Sequence, residues 1–351
     1  MQFYLLDTDL NIIEVIDTFK SVIWTTRYYE AGDFELYIPA TQKMIDLFKR
    51  DYYVVRDDDT TQAMIIQNIQ ITTDVEEGNY LIITGKSLKS ILGRRIIWRQ
   101  TIINGRVESG IRTLVNKNAI NPDEPERKID NLILGAELGL TDKMKSQYTG
   151  DNLEETIQGI CKTYKIGYDI MLDLDEKQFI FILYKGADRS YDQSVNPYVV
   201  FSNDYENLLR TNYKTNSDDY KNVAKVAGEG EGNARKTAVV GTATGINRYE
   251  LFVDARDAST NEGEVDELTY ISLLGERGWA ALAETTISED MEGEVESNHT
   301  YKLNEDYFLG DVVEVVNEYG IAMTPRVTEV IESEDDTGHY TIPTFSTNND
   351  E

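Results

Sequence analysis

Thiol and imidazole side chains are nearly missing from this chain, which has one cysteine and two histidines in 351 residues. The lone thiol, Cys161, excludes an internal disulfide and fits synthesis in a reducing cytoplasm. The histidines, His299 and His339, are isolated from each other, so the sequence holds no His-Glu-x-x-His zinc motif and no close pair of metal ligands. Both are expected on the surface or on strands, and no cofactor is expected. Basic residues are scarce as well. With 34 Lys and Arg against 63 Asp and Glu, the net charge is −29, which argues against a surface built to neutralise phosphates. Long apolar runs are absent: no window approaches the ~18–20 residues of a membrane span. The start, MQFYLLDTDLNIIEV, lacks the basic residues and apolar run of a signal peptide, so no membrane insertion is expected.

What the chain does have is unevenly placed acid. Residues 250–351 carry 26 acidic residues against four basic ones, while the rest is nearly balanced. Solvated surface accounts for most such charge. Tyrosine, at 22 copies, outnumbers Phe at 10 and Trp at 3. A ring that buries its body and keeps a wet tip suits sheets and subunit contacts. A length of 351 residues exceeds what one core sustains, so at least two packed units are expected.

The patterning predicts a mainly β chain with an α+β insertion. Residues 1–97 read as a β-barrel-like module: strands in FYLLDTDLNIIEVI, FELYIPA and YYVVRDDD, a hairpin in AMIIQNIQITTDVEEGNYLIITG, and a closing helix SLKSILGRR capped by Ser87. Residues 98–200 read as an inserted α+β domain. It holds a helix at 107–116, an Asn/Pro-rich loop, a helix capped by Asp151 and ended by Gly167, and a hairpin of YDIMLDLD and QFIFILYKG. Residues 201–286 read as linker strands, AKVAG and KTAVVG among them, with a helix near 265–285. Residues 287–351 form a second, acidic β-barrel-like module.

An internal repeat is the most informative feature. DYYVVRDDDTTQAMIIQNIQITTDVEEGNYLIITG (51–85) lines up with DVVEVVNEYGIAMTPRVTEVIESEDDTGHYTIPTF (311–345) at an offset of 259–260. Ala63-Met64 answers Ala322-Met323, and Tyr80 answers Tyr340. One chain would then hold two copies of one β-module, and a trimer would present six.

The segments YYEAGDFELYIPA, TGKSLKSILGRRIIW, RYELFVDARD and YKLNEDYFLGDVVEVV resemble the hub family of phage tails, which includes the N-terminal region of tail-associated lysins of long-tailed phages. The most specific piece is Asp306-Tyr307-x-Leu309-Gly310-Asp311-x-Val313, and the resemblance runs in order along nearly the whole chain. It implies two β-barrel-like modules per chain and a homotrimer forming a pseudo-hexameric ring at the virion tail tip. That ring would join the tail tube, or a distal tail ring, to a fibre, spike or lysin protein below, with DNA only in passage. Many relatives continue into a peptidase or glycosidase domain. This sequence stops at Glu351, so lysin activity is expected to be absent or on another polypeptide. A receptor-binding or fibre-attachment module is the nearer alternative, and a cell-wall glycan hydrolase the more distant one.

No residue constellation in the sequence argues for catalysis. Thr84-Gly85-Lys86-Ser87 has the end of a phosphate loop, but Tyr80 stands where its first Gly belongs. The alternating Gly228-Glu229-Gly230-Glu231-Gly232 lacks dinucleotide spacing and reads as a flexible loop. Asp173-Leu174-Asp175-Glu176 lacks the closing Glu of a calcium loop, Tyr184 holding that place, and reads as a hairpin turn. Cys161, on an apolar helix face, reads as a core thiol. Two charge clusters are candidates for assembly. Lys86, Lys89, Arg94, Arg95, Arg99 and Arg106, with no acid among them, form a candidate subunit or tube interface. Glu289, Asp290, Glu292, Glu294, Glu334, Asp335 and Asp336 are candidate acids for a DNA channel, which must not bind phosphates.

Overall fold

The computed structural model describes residues 1–74, 78–260, 265–295 and 300–348, with backbone only at 233, 290–295, 347 and 348. The N-terminal unit has strands β1 (Phe3–Leu6), β2 (Ile12–Ile16), β3 (Ser21–Arg27) and β4 (Asp33–Pro39), then a short helix α1 (Gln42–Leu47). Strands β5 (Tyr53–Arg56), β6 (Ala63–Asp74) and β7 (Gly78–Ser87) follow. In β4, Phe34, Leu36 and Ile38 are buried and alternate with Asp33, Glu35 and Tyr37, the period of two that a half-buried strand requires. They pack against Phe3, Leu5, Trp24, Met64, Ile66 and Leu81 in one core. The expected closing helix is a 3-10 turn over Leu88–Arg94. Ser87 does not cap it, because its hydroxyl accepts the Gly32 N–H at 3.0 Å instead.

The inserted unit comprises β8 (Thr101–Arg106), α2 (Val107–Val115), β9 (Leu132–Leu134), β10 (Lys143–Tyr148), α3 (Leu153–Tyr164), β11 (Gly167–Asp173) and β12 (Gln178–Tyr184). On α3, Leu153, Ile157, Ile160 and Cys161 form the buried stripe that helical spacing dictates. Its cap is Asn152, not Asp151: the Asn152 Oδ1 accepts the N–H groups of Glu154 and Glu155 at 2.9 and 3.2 Å, while Asp151 accepts from Thr149. The helix ends on Lys165 in the left-handed region (φ 54), and Gly167 already opens β11. These residues share a core with Leu6, Tyr28, Ile65 and Leu88, so the insertion packs directly on the N-terminal unit.

The chain then forms β13 (Val200–Ser202), β14 (Leu208–Asn216), β15 (Val223–Ala227), β16 (Thr237–Val240), β17 (Glu250–Asp254) and α4 (Glu267–Ala283), the last capped by Asp266. Strand β15 pairs antiparallel with β16 and parallel with β17, and Tyr270 and Leu274 of α4 pack on them. The Gly/Glu run between β15 and β16 is anchored at its start: the Glu229 carboxylate accepts from the N–H and hydroxyl of Thr260, its own N–H donates to the Tyr270 hydroxyl, and Arg235 donates to the Gly228 carbonyl. Strands β18 (Ser288–Val295), β19 (Glu314–Val316), β20 (Ala322–Met323), β21 (Arg326–Asp335) and β22 (Gly338–Asn348) complete the fold.

Eleven strands make one open sheet in the order β14-β18-β22-β21-β3-β4-β7-β6-β5-β1-β2. Two separate barrel-like modules were expected. Among the described residues no barrel closes, because β21 pairs with β3 and joins both modules into one sheet. Within that sheet the repeat is real at the level of register. Strand β6 pairs with β7 from Ile65↔Lys86 to Asp74↔Gly78, and β21 pairs with β22 from Arg326↔Ser346 to Asp335↔Gly338. Each hairpin carries a bulge at the matching place, between Ile66 and Asn68 and between Val327 and Glu329. The flanking strands match too: β3-β4-β7-β6 and β14-β18-β22-β21 are the same antiparallel arrangement met twice.

One ring ties the parts together. Tyr28, fully buried just after β3, has its hydroxyl within 3.3 Å of the Lys165 carbonyl and the Gly186 N–H. A Cβ at Gly167 or Gly310 would lie 2.3 or 2.2 Å from its ring, so both positions must be bare for the tyrosine to fit.

Candidate assembly interface

The junction of the two four-stranded units is an antiparallel ladder from Glu329↔Arg27 to Asp335↔Ser21. Ion pairs cross it on both faces. Arg27 reaches Glu329 at 2.5 Å and Asp33 at 2.5 Å. Arg56, from β5, reaches Glu332 at 2.5 Å and Asp58 at 2.6 Å, and the Met1 ammonium meets Glu334 at 2.6 Å. Burial works against charge on Arg56, but Asp58 and Glu332 more than offset it, so its pKa is raised above the ordinary arginine value. The hydrogen bond from Arg56 in turn holds the Asp58 carboxyl below its usual range.

The corresponding edges elsewhere have no strand paired with them among the described residues. β5 covers only the first part of β6, over Ala63–Ile65, and among the described residues no strand pairs with the outer edge of 68–74. Among the described residues β14 ends the sheet, with β18 as its strand neighbour. Position by position, Ile69 and Ile71, at 37 and 52% exposure, match Val330 and Glu332, at 0 and 9%.

The basic residues singled out from the sequence do not form one patch. Lys89 is buried: its Nζ donates to the Arg27 carbonyl at 2.5 Å and lies 4.9 Å from the centre of the Tyr168 ring, and burial lowers its pKa. It offers no charge to a partner. Arg94 is paired with Asp51, Arg99 with Asp123 and Glu124, and Arg95 donates to the Arg127 carbonyl. Lys86 and Arg106 are exposed at the ends of β7 and β8.

Of the acids, Glu334 is engaged by Met1, and Asp335 accepts from the Thr337 N–H and hydroxyl in the hairpin turn beside the exposed Asp336. Glu289 is half-buried on β18. Asp290, Glu292 and Glu294 take register positions opposite Lys214, Asn212 and Arg210, and their side chains lie outside the described part. His299 is outside the described residues. His339 lies 3.9 Å from Glu332.

A cleft of about 730 Å³ runs between the insertion and the sheet. Of the charged groups lining it, Arg56 is paired with Asp58 and Glu332, and Arg189 with Asp311 at 2.6 Å. Among the described residues no group of three or more His, Cys, Asp or Glu is placed to hold a metal ion. The Cys161 thiol is buried, which pushes its pKa up to about 12. Sequence reasoning missed Arg27, Arg56, Glu329 and Glu332. The available signal was the acid at 329, 332 and 334 where the first copy has Asn68, Ile71 and Thr73.

Three solved structures share this fold. The tail protein from Neisseria meningitidis MC58 superposes with a TM-score of 0.59 at 13% identity, covering 98% of this chain and 96% of that one. The 43 kDa tail protein of prophage MuSo2 from Shewanella oneidensis gives 0.59 at 13%, covering 98% of each chain. The prophage tail protein gp18 from Listeria monocytogenes EGD-e gives 0.57 at 12%, covering 100 and 96%. No curated protein matches this sequence. The fold is therefore that of phage tail proteins, and residues 2–345 match a siphovirus family over nearly the full length: the chain belongs to the Siphovirus ReqiPepy6 Gp37-like protein family.

Proposed function

We propose that this phage tail protein is a structural, non-enzymatic hub at the tail tip. Three copies form a ring that joins the sixfold tail tube, or a distal tail ring, to a fibre, spike or lysin protein and leaves a channel for DNA. The observation that carries this reading is the duplicated four-stranded unit, joined head to tail within one chain through β21 and β3. A heterologous contact of this kind closes into a ring when its rotation divides a full turn, and two units per chain turn threefold symmetry into pseudo-sixfold symmetry.

The channel would be lined by the sheet face opposite the core. Asp33 and Glu35 lie on that face of β4, and Asp290 and Glu292 occupy the matching register positions of β18. An acidic wall repels phosphates and keeps passage free of binding. Light scattering on the purified chain tests the ring: a particle of three chain masses, ring-shaped in negative stain, is expected. A monomer with sustained peptidoglycan cleavage, lost on changing one carboxylate, would refute it.

A further inference from the structure

The unit formed by β15, β16, β17 and α4 meets the insertion along a groove of about 400 Å³. Residues of α3 and β10 form one wall and residues of α4 the other. Much of the lining is apolar, from Met144, Ile160, Val253, Ala280 and Trp279. Three carboxylates also line it: Glu155 on α3, and Glu276 and Glu284 on α4. Among the described residues no Lys or Arg forms an ion pair with any of the three. The one base in the wall, Arg277, is already taken, since it holds Asp257 at 2.5 Å and donates to the Gln147 carbonyl at 2.6 Å. Glu276 is half-buried, and burial raises its pKa by disfavouring the charged form; Lys145 opposes this without pairing with it. Glu284 comes close to α3, where a Cβ at Gly159 would stand 3.3 Å from its Oε1.

Such a groove lacks a cation, and its surroundings select the kind. A metal ion needs oxygens that converge on one point, and among the described residues no group of three or more His, Cys, Asp or Glu is placed to hold one. Here the acids are set around apolar carbon beside Trp279, a 54% exposed indole, the side chain that attracts cations best. An arginine meets each condition: it has an apolar stem, a flat head that stacks on aromatic rings, and a fork of N–H donors suited to carboxylates. The same acids repel phosphate-bearing ligands. Apolar surface continues along α4 beyond the groove. Leu268, at 84% exposure, stands eleven residues, about three turns, before Trp279, which puts both on one face of the helix. A free small cation would leave Leu268 bare, whereas a peptide segment lying along α4 would cover it.

We propose that this groove receives an arginine from a segment of a partner protein laid along α4, with the guanidinium between Glu276 and Glu284 and apolar neighbours on Leu268 and Trp279. Charge complementarity decides the occupant, because the groove holds three unpaired acids and no free base among the described residues. The groove lies within one chain, so its occupancy is independent of whether three chains form a ring.

The probe is the capped pentapeptide acetyl-Ala-Leu-Arg-Leu-Ala-amide, titrated into the full chain carrying Trp98→Phe. Its citrulline counterpart has the same shape without the charge. Trp24 is buried, so Trp279 is then the one exposed tryptophan. The arginine peptide is expected to shift its emission saturably, and the citrulline peptide to bind about tenfold more weakly. Glu276→Gln combined with Glu284→Gln is expected to weaken the arginine peptide about tenfold without lowering the melting temperature, since neither carboxylate has an ion-pair partner to lose. Leu268→Ser is expected to weaken both peptides about fivefold, because it removes only apolar contact. No saturable shift, equal binding of the two peptides, or indifference to either the double Gln change or Leu268→Ser overturns the proposal. A change in particle mass on Trp279→Ala, measured by light scattering with no peptide present, also overturns it, by showing that a second copy of this chain fills the groove.

Discussion

The two four-stranded units have the same register and the same bulge, yet they treat one strand differently. In the first unit β6 runs unbroken from Ala63 to Asp74; in the second the equivalent path is split into β20 and β21 around Thr324-Pro325. Proline has no N–H for a ladder and disfavours the residue before it from regular pairing geometries other than extended ones, so a strand breaks there readily. The break lets Ala322-Met323 stay on β19 while Arg326–Asp335 follows β3. The continuous strand, by contrast, keeps a long exposed edge. The two copies of one module thus differ: β21 closes the chain on itself through β3, while among the described residues no strand pairs with the outer edge of 68–74.

Changes at matched positions sharpen this contrast, and the largest effect is expected in the buried member of each pair. Trp24→Ala, at a fully buried site, should cost ~4 kcal/mol in urea unfolding, while Tyr213→Ala, half-buried at the matching site of β14, should cost only ~1 kcal/mol in the monomer. Similar losses at both sites would show that β14 is as enclosed as β3.

Next comes the charged junction. Arg56→Ala leaves Glu332, only 9% exposed, without its main partner and should destabilise by ~3 kcal/mol, whereas Arg56→Met with Glu332→Leu should recover most of that loss. A double variant no better than the single one would mean that packing, not charge, holds the seam.

The pH dependence follows with a smaller effect. Arg56 lowers the Asp58 pKa below the usual 3.8. A carboxyl whose folded pKa is depressed contributes stability above its unfolded pKa and loses it as pH falls through the folded value. The stability difference between the wild type and Asp58→Asn, from unfolding curves at stepped pH, should therefore be constant near neutrality and vanish below 3.8. A difference that instead faded between pH 8 and 6 would point to another group.

The smallest effect is predicted for the open edge of the isolated chain. Ile69→Ala, at a side chain already 37% exposed, should change monomer stability by under ~0.5 kcal/mol, while Val330→Ala at the matching buried site should cost ~2 kcal/mol. Chemical denaturation at concentrations below assembly measures both.

Local pattern made much of this fold legible. The hairpins β6–β7 and β11–β12, the stripe on α3 and the repeat itself follow from alternation and spacing within a few dozen residues. The β21–β3 ladder did not, because its partners are some 300 positions apart, as in Arg27 with Glu329, and nothing local in either strand names the other. Lys89 was read as surface charge because its neighbours are basic. Its burial depends on carbonyls of Arg27 and Tyr28 and on the ring of Tyr168, which only the tertiary fold brings near. Asn152 and Asp151 are equally good caps by type, and the backbone path decided between them.

Tyr28 carries a consequence for how such a chain can be recombined. Its ring fills space left by Gly167 of the insertion and Gly310 of the second unit, and its hydroxyl is read by backbone at 165 and 186. A segment exchanged between relatives across any of these points brings a side chain into contact with the ring unless tyrosine and both glycines travel as one set. Crossovers that keep the three together should yield soluble chimeras, and those that separate them should not, even though the exchanged segments fold alike.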